Sequence, residues 1–135
     1  MFDFTHNSEL HNLIASVYER GAIVASVGHG YCGILNVRLS DGSYLVNGKI
    51  LTGPSWREEK LALVSQKVPY NAEELAKERG ADYIRWKRPY RSSAAATNGL
   101  VTGHNNSSSG NLVASSVCEE LDRLDSLKAK GSEPL

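Results

Sequence analysis

Residues 22–33 read AIVASVGHGYCG: an apolar run, then glycines at 28, 30 and 33 with a histidine and a cysteine between them. The run 22–27 is apolar throughout rather than alternating, which predicts a strand buried on both faces, as in a parallel sheet covered by helices. Two readings compete for the glycine segment after that strand. Gly28, Gly30 and Gly33 have the spacing of a dinucleotide-binding turn. Alternatively, the strand turns sharply into a helix and presents one side chain at the carboxyl edge of the sheet, where open α/β sheets bind ligands. A nucleophile there would sit beside a helix N-terminus, whose partial positive charge favours a thiolate or an oxyanion.

The neighbouring sequence favours the elbow. Dinucleotide binding needs a long helix and then a second strand ending in an acid about 20 residues on. Here the helix candidate is only 31–36, and Asp41 lies inside a Ser-Asp-Gly-Ser turn. No cofactor is therefore expected.

Outward from the elbow, strands and helices alternate. Asn7 or Ser8 can cap a helix with Leu10, Leu13, Ile14, Val17 and Tyr18 on one face, ended by Gly21. In YLVNGKILTG (44–53), two β-rich runs flank Asn47-Gly48 and predict a hairpin. Ser55 with Glu58, and Asn71 with Glu74, are capping-box pairs opening helices through about Val64 and up to Gly80. DYIRW (82–86) and NGLVTG (98–103) read as strands, while RSSAAATNG (91–99) and NNSSSGN (105–111) read as loops. A last helix is expected over 107–127 with Leu112, Val113, Val117, Leu121 and Leu124 as its core stripe, Cys118 in the core beside them, and 128–135 as a polar tail. The pattern is an α/β layered sheet in one domain, 1–127.

Composition limits the function classes. The 135 residues are 41% hydrophobic and 22% charged, as in an ordinary soluble domain. Fifteen basic and fifteen acidic residues cancel, which argues against a nucleic-acid partner. The basic run RWKRPYR (85–91) reads as a solvated loop edge. Two cysteines make no disulfide framework. No apolar stretch reaches the length of a membrane span, and the N-terminus lacks the features of a signal peptide, so a reducing, cytoplasmic setting is expected. His6 and His11 share no metal-ligand spacing with His29 or His104, and no metal site is expected.

Three long stretches resemble a known family. YERGAIVASVGHGYCGILNVRLSDGSYLVNGKILTG (18–53), SWREEKLALVSQKVPYNAEELAKERGADY (55–83) and GLVTGHNNSSSGNLVASSV (99–117) are similar, in register, to the ThiJ/PfpI superfamily (class I glutamine amidotransferase-like), in its glyoxalase-III and chaperone-deglycase branch. The resemblance implies a flavodoxin-like three-layer sandwich with a mainly parallel sheet plus a hairpin, matching the carboxyl-terminal part of the domain and lacking the family's opening strands. It also implies that the family's catalytic acid and a glycine-rich oxyanion-hole loop precede the point matching Met1.

Three departures from the family pattern bear on function. Gly28 stands where the family carries its nucleophilic cysteine, while His29 keeps the adjacent histidine. Tyr31 replaces a proline, and His104-Asn105-Asn106 stands where the family has Gln-Asn-Pro. The family activity implied is glutathione-independent conversion of methylglyoxal, an α-oxoaldehyde, to lactate, or protein deglycation. Without a thiol, the covalent adduct has no atom to form on. The expectation is a catalytically impaired pseudoenzyme whose elbow comprises Gly28, His29, Gly30, Tyr31 and Cys32. Two alternatives stand beside it: residual hydrolase or lyase activity using Cys32 or a partner chain, and a non-enzymatic chaperone-like, stress-response or partner-binding role. Cys32, one helical turn past the elbow, reads either as that substitute or as a small buried core residue. The expected assembly is a homodimer or a pairing with a chain that supplies the missing strands.

Overall fold

A computed structural model describes residues 1–104 and 107–131. The chain opens with helix α1 (Ser8–Glu19), whose N-cap Asn7 accepts a hydrogen bond from the Leu10 N–H. Strand β1 (Val24–Val27) follows and runs into a 3-10 helical turn at Gly28–Gly33. The next elements are β2 (Ile50–Leu51), α2 (Trp56–Leu61), α3 (Ala72–Glu78), β3 (Asp82–Tyr83), β4 (Ala94–Thr97), β5 (Leu100–Gly103) and α4 (Ser107–Gly131).

One sheet has the order β1-β5-β4, with β1 parallel to β5 and β4 antiparallel to it. The second pairs β2 with β3 in parallel. Threonines join the two: Ile50 N–H donates to Thr97 Oγ1 at 3.2 Å, and Thr52 N–H donates to Thr102 Oγ1 at 2.9 Å. Along β5 every residue is buried. Leu100 belongs to the main core, whereas Val101 and Val113 of α4 are buried outside it. Successive strand residues point to opposite faces, so the sheet is covered on both sides at β5 and the fold is the expected three-layer α/β arrangement.

The core is centred on the segment after the elbow rather than on the helices. Tyr31, Cys32, Ile34, Leu35, Val37, Leu45 and Val46 are all buried there. No residue of α1 is fully buried, and Leu13 is exposed. The capping box opening α2 is present in both halves, but the helix stops at Leu61.

Several expectations are corrected. Residues 44–53 do not form a hairpin. Asn47-Gly48 makes a turn, with Lys49 N–H donating to Val46 O, and the segment after it pairs in parallel with β3. The two-residue hairpin lies at Asn98-Gly99, between β4 and β5, where φ is +46° and +79°. Such a turn needs left-handed backbone at both central residues; Asn98 and Gly99 both adopt it, whereas at 47–48 only Gly48 does. The stretch 94–97, read as loop, is therefore a strand.

β1 is not buried on both faces. Ala25 and Val27, two apart and so on one face, are exposed, and β1 has β5 as its only strand partner among the described residues. The 3-10 turn begins at Gly28 itself, replacing the short helix expected over 31–36. In α4 the inward row is Val113, Val117, Glu120 and Leu124, whereas Leu112, Cys118 and Leu121 face outward. Cys118 is thus exposed, not core. The row closes on an acid: Glu120 Oε1 accepts the buried Gly99 N–H at 2.6 Å. The helix also continues through 128–131, part of the expected tail. No helix among the described residues is long and apolar enough to cross a membrane.

Candidate functional site

The elbow is the geometric centre of the site. β1 arrives in extended conformation, with Val27 at φ −127° and ψ 142°, and Gly28 then turns to φ +60°. L side chains rarely occupy that region, and where they do the strain marks functional positions. Gly28 is buried, whereas the His29 side chain is 37% exposed. Tyr31 is fully buried; its hydroxyl donates to Pro54 O at 3.5 Å, the same carbonyl that accepts the Tyr83 hydroxyl at 3.1 Å. Burial pushes both phenols well above their ordinary pKa, so they act as neutral donors. Tyr31 thereby ties the elbow to the segment leading into α2.

That segment delivers two adjacent carboxylates. Ser55 fixes the first turn of α2 through its capping box, which places Glu58 and Glu59 toward the elbow. His29 Nε2 lies 2.5 Å from Glu59 Oε1. His104, in the residue following β5, sets its Nε2 at 2.8 Å from Glu58 Oε1. Parallel pairing of β1 with β5 puts Val27 opposite Gly103, and so brings the two histidines to the same edge. A pocket of about 90 Å3 lies between His29, Glu58, Glu59, Tyr90 and His104. Glu59 Oε2 and His104 Nδ1 are buried and have no hydrogen-bond partner among the described residues. Buried polar atoms ordinarily find one, so these two are exceptions.

The two acids differ in environment. Glu58 is saturated: it accepts from the Ser55 N–H and hydroxyl, the Tyr90 N–H and His104. Burial alone would raise its pKa, but these hydrogen bonds, His104 foremost, outweigh it and hold the carboxyl below its ordinary value. Glu59 has His29 on one oxygen and an open second oxygen.

Among the sequence-predicted residues, Gly28 to Cys32 do form one turn, but they do not share one surface. Cys32 is completely buried, and burial raises its thiol pKa. That is the environment of an inert core cysteine, not of an activated nucleophile. Sequence reasoning missed Glu59 and His104 as site residues and gave Glu58 only its capping role. An acid upstream of Met1 was expected to serve the histidine; the structure supplies one within the chain. Adjacent acids in the first turn of a short helix, and a histidine directly after a buried strand, were the available signals. Asn105 and Asn106 lie outside the described residues. Among those described, no group of three or more His, Cys, Asp or Glu is arranged to hold a metal ion.

Known proteins resemble the chain in sequence and in fold. No family model matches the chain. A probable glutathione-independent glyoxalase of Schizosaccharomyces pombe is 34% identical over 112 residues, covering 78% of this chain and 43% of the relative. The glutathione-independent glyoxalase of Saccharomyces cerevisiae is 27% identical over 124 residues, covering 87% and 52%. The crystal structure of glyoxalase III from Candida albicans superposes with a TM-score of 0.77 at 24% identity, over 88% of this chain and 52% of its own, and shows the shared fold. The chain spans about half the length of the curated relatives it matches. In sequence the chain is similar to glutathione-independent glyoxalases over about half of their length, and it shares the fold of glyoxalase III.

Proposed function

We propose that this chain is a glyoxalase-III-like module that keeps the proton-handling pair of the site and has lost its nucleophile. The observation that carries the reading is Gly28: buried, at φ +60°, at the end of β1 and directly before a histidine held by a carboxylate. With Nε2 engaged by Glu59, His29 has Nδ1 left to exchange a proton with a ligand. General acid–base help of this kind is worth about 10²- to 10⁴-fold. It cannot replace a covalent adduct, which glycine has no atom to form. The substrate class of the intact site is a small α-oxoaldehyde, and turnover by this chain is expected to be strongly impaired.

Restoring the thiol tests this directly. Gly28→Cys, incubated with methylglyoxal, is expected to produce lactate well above the unmodified chain, and Glu59→Gln in that background is expected to abolish the gain. Robust turnover by the unmodified chain, surviving Cys32→Ala, would refute the reading.

A second reading, a non-enzymatic partner-binding role, is favoured by the open side of β1, where Val27 is 42% exposed. A strand with an unpaired edge invites pairing with another chain, whether a second copy or a longer relative. Light scattering after size exclusion tests it, and a monomer at every concentration, alone and mixed with an intact relative, would count against it.

A further inference from the structure

α2 has a second face. Glu58, Glu59 and Ala62 look toward the elbow pocket, but Trp56, Arg57, Lys60 and Leu61 border an open cleft of about 810 Å3, completed by α3 and the segment 85–87. Both tryptophans of the chain, Trp56 and Trp86, stand on this cleft. The chain as a whole carries no net charge, yet here five cations, Arg57, Lys60, Lys77, Arg85 and Lys87, face two carboxylates, Glu73 and Glu74.

Glu73 is the organising residue. It is buried, accepts the Trp56 N–H at 3.0 Å and the Lys77 ammonium at 2.7 Å, and has Arg85 at 3.9 Å. Its charge is therefore spent within the wall. Arg57, Lys60 and Lys87 form no ion pair among the described residues. Arg57 instead donates to the Lys87 backbone carbonyl at 3.4 Å, and both residues line the cleft. Arg91 lies 5.5 Å from the centre of the Trp86 ring and braces that indole.

We propose that this cleft binds a nucleoside polyphosphate, with the base against an indole and the phosphates on Arg57, Lys60 and Lys87. Indole faces suit a flat heterocycle, and unpaired guanidinium and ammonium groups suit phosphate oxygens. The volume is that of a small-molecule site. An acidic peptide would use the cations and leave the indoles idle. The inference is independent of the elbow and of any activity there.

Because both tryptophans line the cleft, intrinsic fluorescence of the whole chain reports on it. Titration with ATP is expected to give a saturable change with Kd on the order of micromolar, weakening about tenfold in the Lys60→Ala/Lys87→Ala double variant and as salt rises. Adenosine alone and inorganic tripolyphosphate alone are each expected to bind at least about tenfold more weakly than ATP. Any of four results would overturn the proposal: no saturable change up to millimolar ATP, tripolyphosphate binding as tightly as ATP, indifference to the double variant, or displacement of ATP by a single-stranded oligonucleotide or acidic peptide at lower concentration.

Discussion

Glu58 and Glu59 are neighbours on one short helix, and each meets a histidine, yet the two pairs do different things. Glu58, which meets His104, is closed: the acid accepts from two backbone N–H groups, a hydroxyl and the imidazole, and both side chains are buried. Glu59 with His29 is open: one oxygen is unpartnered, and the imidazole is partly exposed beside the elbow. Glu58 is held on both oxygens, whereas the second oxygen of Glu59 is held by no hydrogen bond among the described residues. What separates the roles is the number of donors the fold brings to each carboxylate, not the residue type.

The largest effect that tests this contrast is on stability. Glu58→Ala removes the capping-box acid, the partner of the Tyr90 N–H and the partner of a buried histidine, and is expected to cost about 3–5 kcal/mol in denaturant unfolding. A loss below about 1 kcal/mol would remove the distinction between the pairs.

Acid unfolding sharpens the same point. The folded-state pKa of Glu58 is depressed below its ordinary 4.5, so its contribution is fully present above that value and is lost as the pH falls through the folded-state value. Glu73 behaves alike, because its bonds to Lys77 and Trp56 outweigh the burial that would raise it. The melting temperature is expected to drop as the pH falls below that ordinary value, and Glu58→Gln is expected to flatten part of the drop. An unchanged acid slope would show that the closed pair carries no linked stability.

Glu59→Gln is expected to change stability by less than about 1 kcal/mol, while eliminating whatever turnover Gly28→Cys creates. A large stability loss would make the open pair structural as well. The smallest effect concerns the thiols. In the native chain iodoacetamide is expected to label exposed Cys118 and spare buried Cys32, read by mass spectrometry of digests. Rapid labelling of Cys32 would reopen the elbow to a substitute nucleophile.

Legibility in the sequence followed the range of the interaction. The caps of α1, α2 and α3 could be read because each involves residues three apart. At 22–33 two readings competed, and neighbouring signals, the short helix candidate and the placement of Asp41, favoured the elbow over a phosphate loop. The Asn-Gly signal at 47–48 misled, since turn chemistry is local but strand pairing is not. Ile50 and Leu51 found their partners in Asp82 and Tyr83, more than thirty residues away. Cys118 misled for a similar reason: the stripe on α4 was offset once Glu120, a charged residue, took an inward place to bind the hairpin at Gly99.

The sequence by itself determined that a glycine stands at a sharp turn after an apolar strand, beside a histidine, in a chain built of alternating strands and helices. Glycine there both permits the left-handed backbone and withholds a reacting atom, and neither property depends on the rest of the fold. Only the tertiary structure decided which acid serves that histidine and which of two adjacent carboxylates is left open. It also gathered scattered cations and two indoles into one cleft on an electrically neutral chain. These are matters of long-range placement: β1 and β5 align in parallel, α2 is pinned by its cap, and residues distant in sequence meet at the carboxyl edge of the sheet.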